Sequence, residues 1–156
     1  RLARRPRAAA REVCMTVRQI IASKPQVYAV RPGDTVFDAL RLMAEHNIGA
    51  VLVLDGAAIL GIMSERDYAR KVILHGRSSH DLRVADIMTA EVVCADPGWS
   101  AHDCMRMMTE HRVRHLPVVE EGRLVGVVSI GDVVRAVVEE QADRISTLEH
   151  YISSAG

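Results

Sequence analysis

The stretch GIMSERD at residues 61–67 recurs 65 residues later as GVVSIGD at residues 126–132. In both copies a glycine and two apolar residues lead directly into Ser-x-x-Asp. A short apolar run followed by Ser-x-x-Asp is typical of a buried strand that ends where a helix begins. The sequence therefore contains two strand-to-helix junctions of the same design.

The similarity extends well beyond these junctions, because residues 32–73 align with residues 97–138 at the same offset without a gap. The matches preserve polar identity as well as apolar pattern, including Pro-Gly at 32 and 97 and Glu-His at 45 and 110. Such self-similarity predicts two copies of one structural unit. In each copy a strand ends at Pro-Gly, a capping box starts a helix, and two strands joined by a tight turn precede a second helix. The predicted strands are 27–30, 50–54 and 59–63 in the first copy and 92–95, 116–119 and 124–128 in the second, and the second helices are 68–74 and 133–140.

The fold class that follows is α/β (α+β), with two β-α-β-β-α repeats related by a pseudo-two-fold axis. A unit of about 60 residues buries too little surface to be comfortably stable alone, so the repeats are expected to share a core.

The predicted organisation is a basic N-terminal segment (1–16), a first repeat (17–76), a second repeat (84–140) and a C-terminal helical tail (141–156). The chain begins at Arg1 rather than Met, so we expect residues upstream. The basic segment is interpreted as a solvated tail, with a transit-like or nucleic-acid-touching arm as the alternative.

Composition and charge exclude several classes of function. Twenty basic and twenty acidic residues cancel, so no global field attracts nucleic acid or a membrane surface. No apolar run approaches the roughly 20 residues that span a bilayer. The three cysteines are odd in number and lack CxxC spacing, which argues against a disulfide framework and against a zinc site. We therefore expect a cytoplasmic protein with no metal and no nucleic-acid or membrane partner.

The Ser-x-x-Asp motifs have two interpretations. Free backbone N–H groups at a helix start, together with the Ser hydroxyl, suit an anion or sugar hydroxyls. A carboxylate one turn into the helix can accept hydrogen bonds from the vicinal hydroxyls of a ribose. Ser-x-x-Asp is also a capping box, however, and spacing alone favours that interpretation, because Thr35/Asp38 and Ser100/Asp103 are expected to be caps only. Both roles are compatible at one position.

With the segment HRVRHLPVV at residues 111–119 preceding the second motif, the double unit resembles a tandem pair of CBS domains, a Bateman module. The resemblance runs from about residue 17 to residue 140 and is closest to small stand-alone CBS-domain signalling proteins. It implies binding of an adenosyl ligand such as AMP, ADP, ATP, NAD or S-adenosylmethionine in clefts between the repeats. It also implies a disc-like homodimer and no catalytic residue or catalytic cofactor.

The resemblance assigns site residues by position. It implies that Asp132 and Asp67 hold ribose hydroxyls and that Ser129 and Ser64 lie near ribose or phosphate. The residues implied for phosphate are Arg114, His115, Arg66 and Arg70. The residues implied around the ligand of Asp132 are Ser23, Tyr28, Ile48, Gly49 and Ala50. Those implied around the ligand of Asp67 are Thr89, Val93, Val113, Arg114 and His115, and Pro117 completes the adenine pocket.

The two copies differ from each other and from the family pattern. The first has Leu52 where the second has the proline usual in the family, Pro117, and it has Gly49-Ala50 in place of Arg114-His115. These differences predict two sites of unequal phosphate affinity.

Three functions remain open. The favoured one is a nucleotide-sensing regulator that acts on an unidentified effector protein. The others are a ligand-free dimerisation scaffold and the regulatory fragment of a larger enzyme such as a dehydrogenase. Four valines expected on an outward helix face favour self-association. They are Val133, Val134, Val137 and Val138.

Overall fold

A computed structural model describes residues 14–24 and 26–155. Most of the basic N-terminal segment, for which the sequence predicts a solvated tail, lies outside these residues. The helices are α1 (Val17–Ala22), α2 (Val36–His46), α3 (Glu65–Lys71), α4 (Val84–Ile87), α5 (Ala101–His111) and α6 (Ile130–Ser154), with a 3-10 turn at Ile73–His75. The strands are β1 (Ala29–Val30), β2 (Ala50–Asp55), β3 (Ala58–Ser64), β4 (His115–Glu120) and β5 (Arg123–Ser129). The predicted mixture of helix and strand is confirmed, and the β-α-β-β-α order is complete in the first repeat, while the second lacks its first strand.

The described residues form two compact units. The first comprises Gln26–Val93 and Gly122–Leu124, and the second comprises 14–24, Cys94–Glu121 and 125–155. Helix α1 precedes the first repeat in sequence but belongs to the second unit, while α4 precedes the second repeat and belongs to the first unit. The helix that precedes each repeat in sequence, here called its leading helix, therefore belongs to the unit of the other repeat.

The first unit is built on a three-stranded sheet in the order β1-β2-β3. Strand β1 runs parallel to β2, and β3 returns antiparallel to β2 with an irregularity between Val53 and Leu54. Apolar side chains of the sheet, α2, α4 and the segment after α3 form the core of this unit. The most deeply buried of them are Val36, Ala39, Val51, Val53, Met63, Val72, Val84 and Ile87.

Helices α2 and α5 begin and end in the same way because their terminal residues correspond. Thr35 and Ser100 accept a hydrogen bond from the backbone N–H three residues on, as the sequence predicts. Asn47 and Arg112 end these helices in the left-handed conformation. His46 and His111 therefore lie in the last turns, where a cation complements the helix dipole.

Strands β4 and β5 form a hairpin that belongs to the second unit except for Gly122–Leu124, and Glu121 and Gly122 at its turn are consecutive residues with positive φ. In place of the strand predicted over 92–95, only Cys94 and Ala95 form isolated bridges, and that of Ala95 is parallel to Val118. A parallel ladder extended toward Val93 would need an N–H from residue 117, and Pro117 has none. In the first unit the equivalent Leu52 donates its N–H to the Tyr28 carbonyl at 3.3 Å, and strand β1 forms.

Helix α6 is one continuous helix of 25 residues, so the predicted second helix and the predicted C-terminal tail are a single element. The prediction that Val133 faces outward is wrong, because its side chain is fully buried. It lies on the same face as the buried Ala136, whereas Val134 and Val138 are exposed.

The hydrophobic residues exposed on α6 after Val138 are Ile145, Leu148, Tyr151 and Ile152. Over the residues that the structure describes, no helix combines the length and apolar character that a membrane span requires.

Candidate functional site

The two leading helices are anchored at equivalent places. The N–H groups of Val17 and Arg18 donate to the carbonyls of Trp99 and Pro97 at 2.8 and 3.0 Å. In the first unit, Val84 and Ala85 donate in the same way to Asp34 and Pro32, at 2.8 and 3.1 Å. Each helix thus starts on the Pro-Gly turn of its unit and directs the residues that follow it toward the strand that ends in Ser-x-x-Asp.

The glycine that opens each motif lies at a close approach of the segment that follows the preceding helix, and in the first unit this approach leaves no room for a side chain. In the first unit, the segment after α4 pairs with β3, since Ile62 and Thr89 exchange backbone hydrogen bonds of 3.0 and 2.8 Å. A Cβ on Gly61 would lie 2.8 Å from the Thr89 carbonyl oxygen and 2.8 Å from Met88 Sδ. A Cβ on Gly126 would lie 3.0–3.2 Å from Ile21, which occupies the position of Met88 in the other repeat.

Asp132 caps helix α6 and binds a lysine at the same time. Its Oδ2 accepts hydrogen bonds from the Ser129 N–H at 2.8 Å and from Lys24 Nζ at 2.7 Å. Lys24 Nζ also donates to the Val127 carbonyl at 2.9 Å, so the ammonium is held between strand and helix. The other oxygen, Oδ1, faces Arg135 Nη1 at 3.8 Å, which is too long for a hydrogen bond.

Asp132 lies in the wall of a cavity of about 560 Å³ within the second unit. The volume falls in the range of about 300–1,000 Å³ that small-molecule sites usually have. The wall is mixed in character, with Ile20 and Ala136 as apolar members and Lys24 and Arg135 as cations beside the carboxylate. The full lining is Met15, Gln19, Ile20, Ser23, Lys24, Asp132, Arg135, Ala136 and Glu139.

Two titratable groups near this cavity have shifted pKa values. Burial opposes ionisation of Asp132, but hydrogen bonds from Lys24 and Ser129 outweigh it and hold the pKa of this carboxyl below its usual value. Burial, followed by the positive charge of Lys24, lowers the pKa of His115, and the charge of Asp132 only partly offsets this. Near neutral pH Asp132 is therefore an ionised carboxylate and His115 a neutral imidazole.

Asp67 occupies the equivalent position in the first unit, with a different set of partners. Its Oδ2 accepts hydrogen bonds from the Ser64 N–H and Oγ at 2.9 and 3.0 Å. Its Oδ1 accepts one from Thr89 Oγ1 at 3.2 Å and lies 3.0 Å from Lys71 Nζ. Four donors match the roughly four acceptor positions of a carboxylate, so Asp67 is fully engaged.

Sequence reasoning missed Lys24 and Lys71, which are the ammonium partners of the two carboxylates. The repeat alignment could not find them because they are not equivalent residues: Ala136 occupies the position of Lys71, and Glu91 that of Lys24. Lys71 lies one turn after Asp67, a spacing that favours an ion pair on a helix. No local sequence pattern points from Lys24 to Asp132, because 108 residues separate them.

The structure divides the remaining predicted site residues between the units. The hydroxyl of Thr89 contacts Asp67, and Ser23 lines the Asp132 cavity, as the resemblance implied for both. Arg114 and His115, implied for the ligand of Asp67, lie in the unit of Asp132, and the Arg114 carbonyl accepts from Ile130 N–H at 2.8 Å. The first unit also contains Arg66, Arg70, Tyr28, Ile48, Gly49, Ala50 and Val93, and the second contains Val113 and Pro117. The lining of each ligand by both repeats stays a prediction.

Comparison with known proteins decides the family. The CBS domain family profile matches residues 17–73 and again residues 84–139, which together are more than half of the chain. The chain belongs to the CBS domain family. It carries a pair of these domains, and the Gly-x-x-Ser-x-x-Asp junctions are the closing motifs of the two.

Similar proteins are known from several organisms. The mitochondrial CBS domain-containing protein CBSX3 of Arabidopsis thaliana is 45% identical over 124 residues, which are 76% of this chain and 60% of that relative's length. A CBS-domain protein from Burkholderia ambifaria is 53% identical, with a TM-score of 0.78 over 81% of this chain and 96% of its own. A third structure, a CBS domain pair in complex with 5'-methylthioadenosine and S-adenosyl-L-methionine, is 24% identical and has a TM-score of 0.71, covering 81% of this chain and 98% of its own. At that identity the likeness shows the fold alone.

Proposed function

We propose that this CBS domain pair is a regulatory module that binds an adenosyl ligand, with AMP, ATP and NAD as the candidates, and that Asp132 holds the ribose. The observation that carries the proposal is the position of Asp132. Its side chain is only 12% exposed, it is ionised, and it lies in the wall of a cavity large enough for a nucleoside. Membership of the CBS domain family, for which the sequence resemblance implies adenosyl ligands, supports this ligand class.

The ribose contact would use the part of Asp132 that the cap leaves available. The Ser129 N–H and Lys24 both donate to Oδ2, and we propose that Oδ1 accepts a hydrogen bond from one ribose hydroxyl. A second hydroxyl competes with Lys24 for Oδ2. The ammonium carries three donors and keeps its bond to the Val127 carbonyl when it releases the carboxylate.

The phosphate contact follows from the cations in the same wall. Lys24 and Arg135 line the cavity together with Asp132. Once a ribose engages the carboxylate, both cations are available to a phosphate, and the guanidinium of Arg135 suits forked contacts. Arg114 and His115, which lie in the same unit, are proposed as further phosphate ligands.

The two carboxylates are expected to be unequal in affinity. Ser64, Thr89 and Lys71 together supply Asp67 with all the donors that it can accept. A ribose must displace at least one of them. We therefore propose Asp132 as the primary site and Asp67 as a weak one.

A panel of thermal-shift measurements tests the ligand class. AMP, ATP, NAD and S-adenosylmethionine are each added to the whole chain and to its Asp132→Ala variant. A ligand present at 100 times its dissociation constant stabilises the folded state by about 2.7 kcal/mol. We expect at least one of the four to raise the melting temperature of the wild-type chain and to have no such effect on Asp132→Ala. If none of the four shifts the wild-type protein, the sensing function is wrong.

The second candidate function is a ligand-free dimerisation scaffold, and the exposed apolar residues of α6 favour it. Val134, Val138 and Leu148 expose 48–62% of their surface. Burying such side chains against a second copy would stabilise a homodimer. Sedimentation equilibrium of the wild-type chain without nucleotide separates the two functions when it is combined with the thermal-shift panel, because a scaffold dimerises and responds to no ligand.

A further inference from the structure

Three side chains with different donor atoms meet in the second unit, outside the Asp132 cavity. They are Cys14, before α1, His102, in the first turn of α5, and Glu140, in α6. One sulfur, one imidazole nitrogen and one carboxylate oxygen of this cluster lie within 4.8 Å of one another. His102 Nε2 is 3.7 Å from Glu140 Oε2.

The cluster is held together by the backbone of Met15. The Met15 N–H donates to Glu140 Oε1, and the Met15 carbonyl accepts from the Ala101 N–H at 3.3 Å. Met15 directly follows Cys14, and Ala101 directly precedes His102. Two hydrogen bonds of one residue thus hold the backbone next to Cys14 close to Glu140 and to the residue that precedes His102. A bridge between Thr16 and Ser100 extends the same pairing.

The donor set is chemically selective. A thiolate and an imidazole prefer zinc and its transition-metal neighbours, whereas magnesium and calcium prefer oxygen ligands. Nitrogen and oxygen ligands of a tetrahedral zinc ion are separated by roughly 3.4 Å, because each lies about 2.0–2.2 Å from the metal. The separation between His102 Nε2 and Glu140 Oε2, 3.7 Å, is already close to that value, and the Cys14 sulfur lies within 4.8 Å of a donor atom of each.

We propose that Cys14, His102 and Glu140 bind one divalent transition-metal ion, with zinc as the best-fitting metal. Three protein ligands leave the fourth position to water or another donor, and the half-exposed side chain of His102 keeps that position accessible. The Met15 hydrogen bond to the second oxygen of Glu140 orients the carboxylate, as outer-sphere partners do in metal sites. The sequence predicted no metal because it offers no CxxC motif, and these donors come from three distant parts of the chain.

The proposed metal site is distinct from the proposed nucleotide site. Cys14, His102 and Glu140 are absent from the lining of the Asp132 cavity, while Met15 belongs to it. Metal binding can therefore be tested without changing any side chain that is proposed to contact the ligand.

The test is a titration of the whole chain after treatment with a chelator. Zn²⁺ binding is measured by calorimetry, and Co²⁺ is used as an optical probe because a cobalt-bound thiolate gives a charge-transfer band in the near ultraviolet. We expect one equivalent of metal, loss of the band in Cys14→Ser, and a zinc affinity reduced by more than about tenfold in Cys14→Ser and in His102→Gln.

Two further variants separate metal binding from a structural role. Glu140→Gln keeps an oxygen that can accept from Met15 N–H, so the fold is retained while the metal affinity falls. His111→Ala removes an exposed histidine at the other end of α5 and leaves the affinity unchanged. The proposal is overturned if the wild-type chain binds no zinc, if Cys14→Ser and His102→Gln bind it as well as wild type, or if His111→Ala loses it equally.

Discussion

At the scale of single residues, the two repeats use one motif in two electrostatic settings. Lys71 reaches Asp67 from the next turn of the same helix, whereas Lys24 reaches Asp132 from the segment that follows α1. The helix cap is identical in both, as the spacing of Ser-x-x-Asp predicted. The sequence could not predict the ammonium partners, because the fold rather than the motif decides which cation approaches.

His115 provides a prediction about pH. Its pKa in the folded chain lies below the ordinary value of 6.5, so the unfolded chain binds the proton more readily. The resulting contribution to stability is complete above pH 6.5 and is lost as the pH falls from 6.5 through the folded pKa. We expect the free energy of unfolding, measured with urea between about pH 8 and about pH 5, to decline less steeply in His115→Gln than in wild type.

The matched control is His111→Gln, which changes an exposed histidine in the last turn of α5. We expect the slope to change less in His111→Gln than in His115→Gln, because His115 is the less exposed of the two and lies beside Lys24. Equal slopes for His115→Gln and wild type would show that burial beside Lys24 does not govern the titration of His115.

At the scale of elements, most of the fold was predictable, because each signal was local. The Pro-Gly turns, the caps at Thr35 and Ser100 and the apolar strand runs identified the helices and strands of both repeats. The failures have local causes as well. Pro117 lacks the N–H that a longer strand at 92–95 requires, and the uninterrupted helical pattern after residue 140 joins the predicted tail to α6.

The leading helices provide a second prediction, because Ile20 and Ile87 are equivalent, buried and in different units. Truncation of a buried Ile to Ala costs about 2–5 kcal/mol. We expect Ile20→Ala to accelerate amide hydrogen exchange mainly in α5, β4 and α6, and Ile87→Ala to accelerate it mainly in α2, β2 and β3. Each variant is the control for the other. Identical exchange patterns would contradict the assignment of α1 to the second unit.

At the scale of the whole molecule, the helix that precedes each repeat belongs to the unit of the other repeat. The chain is therefore more than two repeats in series. Residues 17–24 are required for the Asp132 site, since they contribute Lys24 and Ser23 to its wall. Residues 84–89 contribute Thr89 to the Asp67 site in the same way. The repeat alignment revealed two similar halves. It gave no indication of this arrangement, because sequence similarity reports which segments correspond and not which of them pack together.

The most direct test of the central claim is a calorimetric titration with the nucleotide that gives the largest thermal shift, applied to three chains: wild type, Asp132→Asn and Asp67→Asn. Asparagine keeps an oxygen that can accept the hydrogen bond of the helix cap. It removes the negatively charged acceptor for which the ribose hydroxyls compete with Lys24 or Lys71. We expect Asp132→Asn to abolish the tighter binding event and Asp67→Asn to leave it within about twofold of wild type, because Asp67 is already fully engaged. Equal affinities at two sites, or loss of the tighter event in Asp67→Asn alone, would contradict the central claim.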